Sequence, residues 1–171
     1  IFYGNGGAST TNTAKGIQYA ADNGAHILQN SWGYDSYLAD KGMPSNDAAY
    51  KRLSRIEAEA LEYFVANGGD ENGPLDGGLV IFAGGNEGVA LPGYPAAYEP
   101  CIAVAATNPA LRPAYYTCYG EGTDIAAPGG DHYFGAEGGI VSTITPGMYG
   151  NRDGYVSNQG TSMACPHVAG V

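Results

Sequence analysis

The segment 160–170, which reads GTSMACPHVAG, holds the residues of this sequence that are best suited to chemistry. A glycine permits a tight approach of the chain, and Ser162 then begins a predicted helix of small residues. A serine at a helix N-terminus lies in the positive end of the helix dipole, which favours an oxyanion that forms beside it. We expect Pro166 in the first turn, where its missing N–H has no cost. Taken alone, this pattern is better explained by Ser162 as an ordinary N-cap.

A second candidate, Asn86, follows a predicted buried strand at 79–83 and stands in a glycine-rich turn. A carboxamide in this place can donate a hydrogen bond to an oxyanion, although asparagine is also a common turn residue. The Gly84-Gly85 pair could instead cradle a phosphate. The turn lacks both the GxGxxG spacing and the lysine of a P-loop, which disfavours that alternative.

Five segments resemble segments of the subtilisin-like serine proteases, and they occur in the same order. The segment 160–170 matches the nucleophile motif of that family, Gly-Thr-Ser-Met-Ala-x-Pro-His-Val-Ala-Gly, at every specified position. Upstream of it, 82–88 resembles the Ala-Gly-Asn-Glu-Gly oxyanion segment and 94–106 resembles the Tyr-Pro-Ala strand. Residues 124–129 resemble the Ala-Pro-Gly turn, and 30–33 resemble the Asn-x-Ser-x-Gly substrate strand.

The resemblance implies a role for each matched residue. Ser162 would attack the scissile carbonyl, and the carboxamide of Asn86 would hold the oxyanion together with the backbone N–H of Ser162. The implied substrate-binding residues are three from a strand that pairs with the substrate backbone and three from a pocket wall: Ser31, Trp32, Gly33, Ala83, Gly84 and Gly85. The small residues of that wall leave room for a large apolar side chain of the substrate.

Acyl transfer by a serine also needs a base that takes its proton and a carboxylate that orients the base. The family carries them in a His-Gly-Thr segment and an Asp-Thr/Ser-Gly segment, and neither motif occurs in these 171 residues. His26 is expected at a strand start and His132 in a loop. His167 stands five positions past Ser162 on the same helix, so it should point away from the nucleophile. We therefore expect little or no activity from the isolated chain.

Two explanations fit a nucleophile motif without its base. Residues 1–171 are either a partial subtilisin-like peptidase domain of a longer endopeptidase, secreted or in the cell envelope, or a catalytically dead peptide-binding module. The retained Asn86, and a last helix expected to continue beyond Val171, favour the first explanation. A nucleotide-binding domain is a third alternative, which rests only on alternating helices and strands and on glycine loops.

The charge of the chain excludes some classes of partner. With 7 basic and 17 acidic residues its net charge is −10, which disfavours nucleic acids and anionic membrane surfaces. No apolar run approaches the roughly 20 residues of a membrane span. The expected partner is a protein or peptide substrate, and the sequence leaves the oligomeric state open.

No cofactor is expected for this chemistry, and no metal site is assigned. Oxygen atoms that calcium could use do cluster in one glycine-rich loop, at Asp70, Glu71, Asn72 and Asp76. An ordinary solvated acidic loop is the plainer explanation. The three cysteines show no CxxC spacing; Cys101 and Cys118 could pair, and buried thiols are the alternative.

Helices and strands alternate along the chain and must position these residues. Apolar residues at helical spacing predict helices over 9–24 and 46–67, and a third from Thr161. Short apolar runs predict strands at 25–29, 79–83, 101–106 and 124–127, and a hairpin of 139–145 with 155–159. Continuously apolar strands are typical of a parallel sheet that is buried on both faces. The predicted fold is α/β, a mostly parallel sheet with helices on both faces, subtilisin-like and incomplete at both ends.

Overall fold

The structure, a computed structural model, describes residues 9–34, 53–70, 72–148 and 153–171. Within them lie three α-helices: α1 (Thr10–Asp22), α2 (Arg55–Asn67) and α3 (Thr161–Ala169). The strands are β1 (Ile27–Asn30), β2 (Leu79–Ala83), β3 (Ile102–Thr107), β4 (Ile125–Pro128), β5 (Ile140–Thr143) and β6 (Tyr155–Asn158). Two short 3-10 turns, His132–Phe134 and Ala136–Gly138, precede β5.

The first four strands form one parallel sheet in the order β1-β2-β3-β4. Ile27 of β1 lies beside Leu79 of β2, and Ile81 of β2 lies beside Ile102 of β3. The last two strands pair with each other in an antiparallel hairpin. The predicted α/β class, the parallel sheet and the hairpin are confirmed, with strand ends shifted by one or two residues.

Side chains of β2 alternate between two hydrophobic cores. Val80 and Phe82 pack in a cluster with α1 and α2, whereas Ile81 and Ala83 pack in a cluster with α3. Successive side chains of a strand point to opposite faces, so a sheet covered on both sides needs apolar residues at every position. This requirement explains the uninterrupted LVIFA sequence of β2, and it confirms helices on both faces of the sheet.

The start of α2 differs from the sequence prediction. The helix begins at Arg55 rather than at residue 46, and residues 46–52 lie outside the described residues. Ser54 is the N-cap, and its Oγ accepts a hydrogen bond from the Glu57 N–H at 3.3 Å. The Glu57 carboxylate in turn accepts from the Ser54 hydroxyl at 2.7 Å, so Glu57 holds the capping side chain at this helix start. Ile56, assigned to the buried stripe, is 52% exposed.

Helix α3 also corrects the prediction for its proline. Its N-cap is Gly160, so Pro166 is the sixth helical residue and lies inside the helix rather than in the first turn. The N–H of residue 166 would normally bond the carbonyl of Ser162, and proline has no N–H. The helix is described to Ala169, and the Gly170 N–H makes a last helical hydrogen bond to the Pro166 carbonyl at 3.1 Å.

One buried carboxylate connects α2 to the segment that follows β1. Glu57 is only 2% exposed, and the Tyr34 hydroxyl lies 2.8 Å from both of its oxygens. Burial, and then the hydrogen bond to Glu57, raise the pKa of Tyr34 above its ordinary value. The tyrosine therefore stays a hydrogen-bond donor at all physiological pH values. This bond holds the chain immediately after Gly33 against helix α2.

We predict that Tyr34→Phe in the full-length protein lowers the free energy of unfolding by about 1 to 3 kcal/mol, because it removes a donor from a buried charge. The matched control is Tyr63→Phe, which removes a 2.8 Å hydrogen bond to Asp22 at the exposed surface. The control should cost under about 0.5 kcal/mol. Urea denaturation measures both values, and equal losses would contradict the assignment of Tyr34–Glu57 as a buried anchor.

Candidate active site

The candidate site lies at the edge of the sheet where β1 and β2 end. Ser31, Trp32 and Gly33 follow β1 directly, and Gly84 to Asn86 follow β2. Neighbouring parallel strands end at the same edge, so both loops are delivered to one place. The N-terminus of α3, which carries Ser162, reaches the same edge and contacts both loops.

Thr161 joins the loop after β2 to the start of α3. Its N–H donates to Asn86 Oδ1 at 2.8 Å, and its hydroxyl donates to the same oxygen at 3.0 Å. The Thr161 Oγ1 also accepts from the Gly85 N–H at 3.2 Å. Thr161 is fully buried, so water does not compete for these hydrogen bonds. Asn86 and Ser162 are thereby brought to the same edge of the sheet.

Because Asn86 Oδ1 accepts both hydrogen bonds from Thr161, Nδ2 is the polar atom of the carboxamide that is left for another partner. Among the described residues, neither Asn86 Nδ2 nor the Ser162 N–H has a hydrogen-bond partner. A methyl group added at Gly160 would lie 3.6 Å from Ser162 N and 3.8 Å from Asn86 Nδ2. The Asn86 carboxamide and the Ser162 nitrogen therefore both lie beside Gly160, and both residues line one cavity.

A cavity of about 210 Å³ opens between the two strand ends. Its walls are formed by Trp32, Gly33, Tyr34, Ala83, Gly84, Gly85, Asn86, Glu87, Gly93, Thr161 and Ser162. All but one of the residues that the sequence singled out line it, and the exception is Ser31. Two glycines make the wall possible: a Cβ at Gly84 would lie 3.0 Å from the Val104 carbonyl oxygen, and Gly85 has a φ of 115°.

Four residues of this cavity were not assigned a site role from the sequence: Tyr34, Glu87, Gly93 and Thr161. Glu87 and Thr161 stand next to Asn86 and Ser162, and this adjacency was the available signal. Gly93 is held at the cavity by a hydrogen bond from its N–H to the Gly84 carbonyl at 2.9 Å. No periodic pattern in the sequence predicts this contact. Tyr34 lines the cavity because it directly follows Gly33, the last residue of the predicted substrate-binding segment.

The Ser162 hydroxyl has a carbonyl partner and no base. Its Oγ donates to the Ser31 carbonyl at 3.3 Å. Nδ1 of His167 is engaged 2.8 Å from the Met163 carbonyl of its own helix, and Nε2 of His26 lies 3.7 Å from Asp70. Within the described part of the chain, therefore, no imidazole activates the serine.

Tyr116 supports the N-cap of α3 from the other side, a role that the sequence did not signal. Its hydroxyl oxygen accepts from the Gly160 N–H at 2.9 Å and faces the carbonyls of Gly129 and Gly130 at 2.9 and 2.7 Å. Burial raises the pKa of Tyr116 to about 12. The neutral phenol thus connects the turn after β4 to the residue that precedes Thr161.

The acidic loop shows no assembled metal site. Oδ1 of Asp70 accepts from the Asn72 N–H at 2.8 Å, and Glu71 lies outside the described residues. In the ranges that the structure describes, no three His, Cys, Asp or Glu side chains converge as metal ligands. Calcium at this loop stays an expectation from the sequence.

The cysteines resolve the alternative that the sequence left open. All three are buried and form no disulfide, so Cys101 and Cys118 do not pair. The Cys118 thiol lies 3.0 Å from a carboxylate oxygen of Glu87.

Among the described helices, none is both long and apolar enough to cross a membrane.

Comparison with known protein families gives this geometry its context. The sequence model of the subtilase family matches residues 1–171, which is the whole chain. The chain belongs to the subtilase family. This subtilase chain is 36% identical to alkaline elastase YaB of Bacillus sp. (strain YaB), over 97% of its own length and 34% of that protein. It is 34% identical to thermitase of Thermoactinomyces vulgaris, over 98% of its length and 46% of that protein.

Solved structures agree with the family assignment. A protease from Pseudoalteromonas arctica superposes on the subtilase chain with a TM-score of 0.72 and 27% sequence identity. The match covers 96% of this chain and 45% of that structure. The subtilase chain therefore spans between a third and a half of the length of the relatives it matches.

We predict that Thr161→Val in the full-length protein lowers the free energy of unfolding by about 1 to 3 kcal/mol, because it leaves the Gly85 N–H without its hydrogen-bond acceptor. Thr123→Val is the matched control, since the Thr123 hydroxyl is buried with no partner among the described residues. Removal of that hydroxyl should be neutral or slightly stabilising. Thermal and urea denaturation measure both changes, and a loss of the same size in the two variants would contradict the role of Thr161.

Proposed function

We propose that this chain supplies the nucleophile and the oxyanion hole of a serine endopeptidase. In this proposal, peptide bonds are hydrolysed through an acyl-enzyme at Ser162. The observation that carries it is the pair of hydrogen bonds from Thr161 to Asn86 Oδ1, which leaves the Asn86 Nδ2 donor available at the cavity that Ser162 also lines. Membership of the subtilase family supports the reaction class.

The proposed mechanism follows from these donors. Ser162 Oγ attacks the scissile carbonyl, and its proton passes to a base. The carbonyl oxygen becomes an oxyanion, which Asn86 Nδ2 and the Ser162 N–H stabilise more strongly than they stabilise the ground state. The base then gives the proton to the departing amine, and water hydrolyses the acyl-enzyme. The base and its orienting carboxylate would come from the part of the protein outside this chain.

The substrate in this proposal is a protein or peptide in extended conformation. Ser31, Trp32 and Gly33 would add the substrate backbone to the sheet edge as a further strand. One substrate side chain would enter the cavity of about 210 Å³ behind Ala83, Gly84 and Gly85. The chemistry uses only side chains and backbone amides, so it needs no cofactor. A secreted or cell-envelope enzyme is the setting we propose for it.

A catalytically dead peptide-binding module is the second candidate. It is favoured by one observation, the hydrogen bond of the Ser162 hydroxyl to a backbone carbonyl rather than to a base. Such a module would keep the substrate strand and the cavity and would bind peptides without cleaving them. The two candidates differ in the reactivity of Ser162, which can be measured directly.

We predict that a fluorophosphonate labels Ser162 in the full-length protein and does not label it in residues 1–171 expressed alone. The reagent needs an activated serine, and the isolated chain lacks a base. Intact-mass and peptide-mass spectrometry identify the modified residue, with Ser162→Ala as the control. Absence of labelling in the full-length protein would favour the binding module, and efficient labelling of the isolated chain would show that another group activates the serine.

We also predict that Asn86→Ala and Ser162→Ala differ in kind in the full-length enzyme. Asn86→Ala should lower kcat by about 10²- to 10³-fold and leave KM nearly unchanged, because it removes a donor that acts mainly in the transition state. Ser162→Ala removes the covalent route altogether. Asn67→Ala, an exposed helix position, is the control. A large rise in KM with kcat spared would instead make Asn86 a ground-state substrate contact.

A further inference from the structure

The nucleophile residue has a backbone carbonyl that its own helix does not satisfy. Ser162 is the second residue of α3, and its carbonyl should accept the N–H four residues later. That position holds Pro166, which has no N–H and whose ring crowds the same carbonyl. The Ser162 carbonyl oxygen is therefore left to accept a hydrogen bond from a donor outside the helix.

The Ser31 hydroxyl is that donor. Its Oγ lies 2.8 Å from the Ser162 carbonyl oxygen, and 131 residues separate the two in the sequence. A carbonyl can only accept, so the single hydroxyl proton of Ser31 must point at Ser162. Any further partner of this hydroxyl must then be a donor.

Gln29 provides that further partner. Its Nε2 lies 2.7 Å from Ser31 Oγ and 3.3 Å from Cys165 Sγ, so both N–H bonds of the amide point to acceptors. Gln29 is two positions before Ser31, and residues two apart in a strand project from the same face. The donor and acceptor roles in these two hydrogen bonds are therefore fixed. The Gln29 amide donates to the Ser31 hydroxyl, and the Ser31 hydroxyl donates to the Ser162 carbonyl.

We propose that Gln29 and Ser31 are positioning residues that hold the peptide group of the nucleophile Ser162 in place of the helical hydrogen bond that Pro166 removes. The inference rests on the proposed acyl transfer at Ser162. Thr161 is held to Asn86 on one side of the nucleophile, and Ser31 holds the carbonyl on the other side. Together the two contacts fix the backbone on both sides of the Cα that carries Oγ, which limits the directions of the nucleophile and of its N–H.

A double-mutant cycle in the full-length protein tests this role. Ser31→Ala should lower kcat about tenfold, the equivalent of one hydrogen bond, and change KM by less than about twofold. Ser31→Thr keeps the hydroxyl and should retain most of the activity. In a Pro166→Ala background the helix regains its N–H, so Ser31→Ala should then cost less than about threefold.

Gln29→Glu tests the polarity of the network. The two side chains have nearly the same shape, but a carboxylate cannot donate and would draw the Ser31 proton away from Ser162. We expect kcat to fall by about threefold to tenfold with KM little changed. Gln18→Glu, the same substitution at an exposed position of α1, is the control and should leave kcat unchanged.

A spectroscopic readout keeps the test independent of turnover. Ser-Met occurs once in these 171 residues, so ¹³C-carbonyl serine with ¹⁵N methionine labels the Ser162 carbonyl, whose signal is identified by its loss in Ser162→Ala. Loss of its hydrogen bond in Ser31→Ala should move this signal upfield, and Gln29→Glu should move it in the same direction. An unchanged signal, or equal kcat losses for Ser31→Ala with and without Pro166, would overturn the inference. An inert wild-type enzyme with the expected carbonyl shifts would instead count against the proposed function alone.

Discussion

The carboxamide oxygen of Asn86 accepts the N–H and the hydroxyl of Thr161, and the arrangement of the site depends on this contact. The two residues are 75 positions apart in the sequence, so the contact joins the end of β2 to the start of α3. An amide whose oxygen is held in this way has only its nitrogen left to offer. The contact therefore decides which atom of Asn86 faces the space beside Ser162, and the full burial of Thr161 protects it from water.

The rest of the fold brings these two residues to one edge of the sheet. Parallel strands buried on both faces place the ends of β1 and β2 side by side, while α3 packs under the same strands through Ala164 and Cys165. Polar anchors then fix the loops that leave the sheet. Glu57 holds Tyr34 after β1, and Tyr116 holds Gly160 before α3. Each anchor is buried, so each contributes more than a surface contact would.

Sequence patterns predicted the elements and failed on contacts between distant residues. Apolar runs located the strands, and the family resemblance paired Asn86 with Ser162. The same reasoning misplaced Pro166 in the first turn, because the helix start depends on the contact of Thr161 with Asn86. It also extended α2 upstream of Arg55, because the spacing of apolar residues does not reveal that Ser54 is the N-cap. Ser31 and Tyr116 act through hydrogen bonds to distant backbone atoms, and no periodic pattern in the sequence predicts such contacts.

The most direct test of the account is a crystal structure of the full-length protein with a peptidyl phosphonate bound covalently to Ser162. The phosphonyl oxygen stands in for the oxyanion of the tetrahedral intermediate. The account predicts that this oxygen lies about 2.7 to 3.1 Å from both Asn86 Nδ2 and the Ser162 backbone nitrogen, with Asn86 Oδ1 still bonded to Thr161. An adduct whose oxygen points away from Asn86, with the carboxamide turned to solvent, would contradict it.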